Sequence, residues 1–519
     1  MTTTTLEVER KYDVDARCAV PPLAALPGVA TVDEPVVHEL VATYFDTADL
    51  RLRAAGTTLR HRTGGPDAGW HLKVPLGADR EELQVDGDDP TAPVPEALHA
   101  LVRAVTRTAA LTPVARLRTT RTVLALRDVD GQRLAEVVDD QVEGTVLDTD
   151  TDTDTDTGTA PLRWREWEVE LGTGARPLLD DVEHLLIEAG AARSGTGSKV
   201  GRVLAARPAA TAAPPWWAST SSRRTTAGEV VQEHLRDQVD AVVGRDPQVR
   251  RDLPDAVHTM RVATRRLRSA LRTFRPLLDR AQTDPVRDEL RWLAGVLGAP
   301  RDAEVRHARL RALVAAEPDD LVLGPVLARV DRVMGARYRS AHEAAVRELD
   351  GTRYLALLDA LDALATTPPF GERAGGSTTE VLLPMVRRSW VRLDRTMREA
   401  ERSGPGEQQD LALHDARKRA KAARYAAEAV APAFGRPATR FAGAMADLQE
   451  VLGEFQDGVL TRDALRELGA ASSRSGENGF TFGRLHGLEQ ARAEAAVARW
   501  PQVRQEVSAP KLRRWLEQT

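Results

Sequence analysis

Glu7, Glu9 and Lys11 alternate near the start of the chain. Alternate residues of a β-strand point to one face, so on a strand these three make one charged face, with Leu6, Val8 and Tyr12 on the other. A single string of this kind describes a wet strand face. Here the pattern repeats. Arg60 and Arg62 alternate in TTLRHR, Lys73 sits in WHLKVP, and Arg80 and Glu82 sit in DREEL. Glu136 and Asp140 of LAEVVDD fall on one face, and Glu166, Glu168 and Glu170 alternate in WREWEVEL. Carboxylates on the first and last strands, with cations on those between, fit one solvated sheet face poorly. A sheet closed on itself turns such faces into a polar lumen. Cations there take an extended polyanion through charge-assisted hydrogen bonds, and carboxylates hold Mg2+ or Mn2+ against it.

A second set of charges follows helical spacing. His258, Arg261, Arg265 and Arg268 fall within an arc of about 80° on a helix. His414, Arg417, Lys418, Lys421 and Arg424 span about 120°. The two strings are an internal repeat, a histidine followed by basic residues at matching intervals. Each is followed by a similar turn-like segment, Leu297-Gly-Ala-Pro-Arg301-Asp302 and Leu452-Gly-Glu-Phe-Gln-Asp457. Acids at i±4 are nearly absent, so like charges repel without compensation. An anion lying along the stripes relieves that. Two related helical units facing each other are the natural arrangement.

The elements that position these residues divide the chain in two. At 519 residues it is too long for one ordinary core. Up to about residue 205 it reads as short alternating strands separated by Gly, Pro and Asp, interrupted by a Thr/Asp tract at 148–156. A Pro- and Ser-containing linker is expected at 208–225, and long Ala/Leu/Arg/Glu-rich amphipathic helices fill 226–519. Net charge is −5, with acids clustered in the first part and basic residues on particular helices of the second. Local basic surfaces on a mildly acidic protein indicate a confined anionic ligand rather than general nucleic-acid binding, and an aromatic content of 4% argues against single-strand stacking but not against backbone contacts by the stripes. No run of about 18 apolar residues implies a membrane span. The single cysteine, Cys18, excludes an internal disulfide and a cysteine-rich zinc site. The opening residues do not read as a signal peptide. The expected setting is cytoplasmic.

The first half resembles the CYTH superfamily, the triphosphate tunnel metalloenzymes. The resemblance lies in the Glu7-Val-Glu9-Arg-Lys11 start, Tyr44-Phe45-Asp46-Thr47, Leu59-Arg60-x-Arg62, Leu72-Lys73, Arg80-x-Glu82, the closing Glu166-x-Glu168-x-Glu170 and Ser198-Lys199-Val-Gly-Arg202, in that order. It implies an eight-stranded antiparallel tunnel over residues 1–207 that binds a triphosphate with divalent metal. Members include inorganic, thiamine and RNA triphosphatases and adenylyl cyclases. By this likeness Glu7, Glu9, Glu168 and Glu170 are metal ligands or water positioners, joined by Glu136. Lys11, Arg60, Arg62, Lys73, Arg80 and Lys199 are phosphate ligands, with either Arg118 or Arg121, since alternation turns only one inward. Glu82, Glu136 and either Asp139 or Asp140 line the lumen. Hydrolysis of inorganic tripolyphosphate with Mg2+ or Mn2+ is the implied activity.

The second half resembles the CHAD domain, an α-helical module of pseudo-twofold bundles, through the two stripes and the LG-x-x-RD pattern. Leu297-Gly-x-x-Arg301-Asp302 fits it, and Gln456 departs from it in the second copy. The resemblance implies polyphosphate binding by both stripes and Arg301, without catalysis, and association with polyphosphate granules. The rival readings are a non-catalytic polyphosphate-binding protein and chemistry on nucleotides or thiamine triphosphate.

Overall fold

The computed structural model describes residues 2–76, 79–87, 89, 92–147, 160–205, 226–403 and 406–517. The Thr/Asp tract and the expected linker lie outside these residues. The chain forms two compact units, Met1–Ala218 and Ser219–Thr519.

The first unit is one antiparallel sheet. Its strands are β1 (Thr2–Glu7), β2 (Glu9–Asp13), β3 (Thr31–Val32), β4 (Val36–Asp46), β5 (Thr58–Thr63), β6 (Gly69–Leu76), β7 (Asp79–Val85), β8 (Thr112–Arg127), β9 (Arg133–Val146), β10 (Leu162–Leu171) and β11 (Ala192–Arg193). The order is β1-β7-β6-β5-β4-β8-β9-β10-β2-β11, with β3 against β8. β1 and β2 are separated by Val8 alone, whose carbonyl accepts from the Leu171 N–H at 3.0 Å. One stretch therefore pairs with β7 through its first half and β10 through its second, bringing the two edges of the sheet together. Taking 2–13 as one strand, eight long strands curl into the expected tunnel wall.

Period-two burial assigns the faces. Outward residues pack under α2 (Glu96–Thr106) and α3 (Pro177–Glu188). Leu59, Trp70, Leu72 and Leu83 meet Leu98 and Val102 of α2, and Tyr12, Val137, Trp167 and Val169 meet Val182 and Leu186 of α3. Leu6, expected to be buried with Val8 and Tyr12, is 52% exposed, because it pairs with Glu81 of β7, away from the cluster under α3. The short α1 (Arg51–Ala54) follows β4, and α4 (Lys199–Leu204) puts Val200, Val203 and Leu204 against Ala42, Leu117 and Val142. Gly144 makes this possible, since a Cβ there would lie 2.3 Å from Val203 Cγ2.

The second unit is helical: α5 (Ala227–Arg250), α6 (Ala256–Thr273), α7 (Arg280–Val296), α8 (Gly298–Ala315), α9 (Val326–Asp350), α10 (Thr352–Thr366), α11 (Thr378–Arg402), α12 (Glu407–Phe434), α13 (Arg436–Arg474) and α14 (Phe480–Val507). Thr226 and Glu229 form a capping box at its entry. The basic stripes lie on α6 and α12. Opposite them, α6 buries Met260, Ala263 and Leu267, and α12 buries Ala416, Ala420 and Ala423. The two LG segments are not matching turns. The first is the α7–α8 junction, whereas the second runs unbroken inside α13. Pro300 explains the difference, since proline removes a backbone donor and clashes with the preceding turn except at a helix start, and the second copy has Phe455 there.

Candidate functional site

The lumen of the first unit is a polar cavity of about 100 Å3 that includes Glu7, Glu9, Lys11, Arg60, Arg62, Lys73, Arg80, Glu82, Arg121, Glu168, Glu170 and Lys199 in its lining. Most of its charges are matched in pairs. Lys73 Nζ donates to both oxygens of Glu7 at 2.7 and 2.6 Å. Lys11 reaches Glu9 Oε2 at 3.1 Å and also contacts Glu168. Arg121 donates in a bidentate fork to Asp140 at 2.8 and 2.6 Å and to Glu168 Oε2 at 2.9 Å. Arg60 meets the Tyr44 hydroxyl at 3.3 Å and Glu82 at 3.4 Å, and Arg62 pairs with Asp67. Lys199 Nζ lies 2.9 Å from Asp140 Oδ2, 2.7 Å from Glu166 Oε1 and 2.8 Å from Glu168 Oε1. Arg80 has no carboxylate within 4 Å among the described residues.

Register decides the two open alternatives. Arg121 stands opposite Asp140 and faces inward, while Arg118 stands opposite Glu143 and faces an outer hollow. Asp140 is fully buried against Arg121 and Lys199, and Asp139 turns outward to Arg165 at 2.8 Å. Glu136 stands opposite Glu170, outside the cavity lining, with Arg133 2.5 Å away. Tyr44, Thr58, Asp67 and Ser198 also line the tunnel. His71, with ring nitrogens 2.9 Å from Glu82 and 2.8 Å from the Asp67 carbonyl, joins the same network. Alternation with Lys73 on β6 is the signal that could have found it.

Burial raises Glu7 to about 7 despite Lys73. Burial also raises Glu170, which has no cation within 4 Å among the described residues. In Glu9 burial pushes upward most, but Lys11 and Lys73 together outweigh it and the net shift is downward.

Two acidic groups bear on metal binding. Asp140, Glu166 and Glu168 have ligand atoms within 4.8 Å of one another, with the Lys199 ammonium among them. Glu9, Glu170 and Glu136 stand side by side on β2, β10 and β9. Like charges directly opposite across strands destabilise a sheet, and a divalent cation held by oxygen ligands relieves that. The carboxylate chemistry of both groups suits such an ion, and among the described residues Asp140, Glu166 and Glu168 alone have ligand atoms within 4.8 Å of one another.

In the second unit all ten residues expected from the two stripes and Arg301 line one cavity of about 920 Å3, so α6, α8 and α12 converge. Arg266, Arg291, Arg306 and Arg309 add to it, and its acids are Asp302 and Asp457. Arg265, Arg268 and Lys421 have no carboxylate within 4 Å among the described residues. Burial, then Arg265, Arg417 and Arg261, push Lys421 down to about 7. Arg417 lies over Gly453, where a Cβ would meet its guanidinium at 2.7 Å, and donates to Gln456 at 3.0 Å. Gln456 thus replaces a groove cation by an acceptor for another.

The CYTH domain family matches residues 5–203, and the CHAD domain family matches 233–466. The uncharacterized protein MT2285 of Mycobacterium tuberculosis (strain CDC 1551 / Oshkosh) is 36% identical over 503 residues, 94% of each chain. The chain belongs to the family that joins a CYTH domain to a CHAD domain. PptA from Streptomyces chartreusis is similar over 54% of this chain and 100% of its own, at 22% identity and TM-score 0.45. The CHAD domain from the plant Ricinus communis is similar over 58% of this chain and 95% of its own, at 23% identity and TM-score 0.39. CYTH domains are triphosphate tunnels of metal-dependent hydrolases and cyclases, which is the kind of enzyme the first unit represents. No described helix of this CYTH–CHAD protein is long and apolar enough to cross a membrane.

Proposed function

We propose that the CYTH tunnel hydrolyses inorganic triphosphate with Mg2+ or Mn2+, and that the CHAD groove binds inorganic polyphosphate. The carrying observation is the tunnel lining. Apart from Tyr44, Thr58 and Ser198 it is charged, and its one aromatic among the described residues, Tyr44, is engaged by Arg60. Cations for phosphate are present without a stacking face for a base or thiamine.

Lys11, Lys73, Arg60, Arg62, Arg80 and Arg121 bind the phosphate oxygens, the guanidiniums by forked contacts and the ammoniums as point charges. Glu9, Glu170 and Glu136 hold the divalent cation, which neutralises phosphate charge and lowers the pKa of bound water when present. Glu7, raised to about 7, suits acceptance of the attacking water's proton at neutral pH. Glu168, between Lys11 and Arg121, orients both. The groove supplies no carboxylate row and no catalysis. It holds the polymer, and the setting is a cytoplasmic protein associated with polyphosphate granules.

The test is phosphate release from tripolyphosphate, ATP and thiamine triphosphate with Mg2+ or Mn2+, in the intact chain and in Glu9→Gln/Glu170→Gln. Turnover of tripolyphosphate that the double variant loses supports the proposal. Preference for ATP or thiamine triphosphate moves it to an organic substrate. No turnover with tight binding of long-chain polyphosphate makes the protein a binding module.

A further inference from the structure

The groove of the second unit holds two lysines from one helix, and their surroundings differ. Lys418 and Lys421 both belong to α12, and both line the cavity. The Lys418 side chain is 60% exposed, and its Nζ lies 3.1 Å from Asp415 Oδ1. Lys421 is half-buried and has no carboxylate within 4 Å among the described residues.

The charges that act on Lys421 come from three helices. Arg261 and Arg265 belong to α6, Arg417 stands one turn away on α12, and Asp457 of α13 opposes them. Arg261 is drawn to Asp302 at 3.4 Å, and Arg417 donates to Gln456 at 3.0 Å. Arg265 has no such partner, so its charge falls on Lys421 uncompensated. An amine kept from water among cations gives up its proton readily. Burial first, then Arg265, Arg417 and Arg261, hold Lys421 at about 7. Desolvation and an adjacent cation are what make a lysine amine a nucleophile.

We propose that Lys421 is a site of acylation by small acyl phosphates, whose phosphate the groove arginines bind and whose acyl group the Lys421 amine takes. The surroundings select this class of reagent. Guanidiniums beside the amine bind a phosphate through forked contacts. A carbonyl carbon joined to that phosphate through one oxygen then comes within reach of Nζ. In the step the amine lone pair attacks this carbon. The C–N bond forms, the C–O bond to phosphate breaks, and inorganic phosphate leaves with the bonding pair among the arginines. The amine proton passes to that phosphate or to water, and nothing is oxidised or reduced. The product is a neutral amide, so acylation removes one cation from the groove. The inference rests on the groove being a phosphate site.

The intact chain is incubated with acetyl phosphate near neutral pH, and its six lysines are followed by peptide mass spectrometry. Lys418 is the internal control, because it shares the helix, the cavity and the reagent. Lys421 is expected to be acetylated at least about tenfold faster than Lys418, since an amine near 7 is far more often neutral than an ordinary lysine near 10.4. With N-acetoxysuccinimide, an acetyl donor without phosphate, that ratio is expected to fall several-fold. A ratio near one with acetyl phosphate, or equal ratios with the two donors, overturns the inference. Arg265→Gln is expected to slow acetylation of Lys421 several-fold and to leave Lys418 unchanged, and an unaltered Lys421 rate in that variant also overturns it. Long-chain polyphosphate added first is expected to protect Lys421. If polyphosphate binds tightly while the ratio stays near one, the acylation site fails and the polymer reading stands. If acetyl phosphate favours Lys421 while polyphosphate neither binds nor protects, the polymer reading fails and the acylation site stands.

Discussion

The tunnel and the groove use the same cations under opposite charge conditions. In the tunnel Lys11, Arg60, Arg62, Lys73, Arg121 and Lys199 each lie against a carboxylate. In the groove Arg265, Arg268 and Lys421 have none within 4 Å among the described residues, and burial together with neighbouring arginines pushes Arg261 and Arg268 downward. A tunnel with its own counter-ions has little net attraction for a bare anion. Its ligand must arrive with a cation that takes over the carboxylates. A groove in which Arg265, Arg268 and Lys421 lack counter-ions attracts a bare anion. The first arrangement suits metal-dependent chemistry, and the second suits holding a polymer.

The largest effect that would break this comparison is a shared dependence on metal. Glu9→Gln/Glu170→Gln is expected to lower triphosphate turnover by roughly 10^3-fold, the scale set by removing preorganised electrostatic groups. Long-chain polyphosphate binding should not change, and chelation of divalent ions should act the same way. Loss of polyphosphate binding in the double variant, followed by calorimetry, would show that the two sites are not independent.

The sign of a stability change sharpens the contrast next. Lys73→Ala removes the partner of the buried Glu7 and is expected to destabilise the first unit by about 3 kcal/mol. Arg265→Ala removes an uncompensated cation and is expected to stabilise the second unit by about 0.5 kcal/mol, the scale of a like-charge pair on a helix. Urea midpoints at constant m measure both. Destabilisation by Arg265→Ala would mean that the groove cations already have partners.

Much of this was legible in the sequence, for a physical reason. Strand alternation is strict, so Glu7, Glu9 and Lys11 share the lumen as their spacing demands, and helical spacing brings Arg261, Arg265 and Arg268 to one groove. Register is not local. Only the pairing of β8 with β9 separates Arg121 from Arg118 and Asp140 from Asp139. The surroundings of a side chain are less local still. Lys199 is one letter in Ser-Lys-Val-Gly-Arg, and the three carboxylates around its ammonium come from β9 and β10. The unequal LG segments show the same limit, since Pro300 breaks one helix and nothing breaks the other.

Salt should separate the sites further. Cation release makes polyanion affinity fall linearly on a log–log plot against salt. Arg265→Ala and Lys421→Ala are each expected to reduce that slope by about one, as for a single phosphate contact. Triphosphate KM in the tunnel should respond less, because buried pairs are screened weakly. Equal slopes for both ligands would remove the distinction.

The smallest predicted effect is a proton. Burial and the surrounding arginines hold Lys421 at about 7 in the free groove, against an ordinary value near 10.4 in an unfolded chain. A bound polyanion supplies the missing negative charge and raises it. Below pH 7 the ammonium is already charged. Above it the groove must take up a proton to bind, so polyphosphate affinity is expected to fall as pH rises through 7, by at most about tenfold per pH unit. Folding linkage has the opposite sign. Between pH 7 and the unfolded value the unfolded chain binds more protons at this site, so the stability of the free protein should rise with pH in that window. Calorimetry in buffers of different ionisation enthalpy counts the proton taken up. His258 and His414 share the groove, so the assignment rests on Lys421→Met, which is expected to weaken binding slightly at pH 6 and to flatten both pH dependences. If the slope survives in that variant, the proton belongs to another group, and Arg265, Arg268 and Lys421 are less exposed to one another's charge than their lack of carboxylate partners implies.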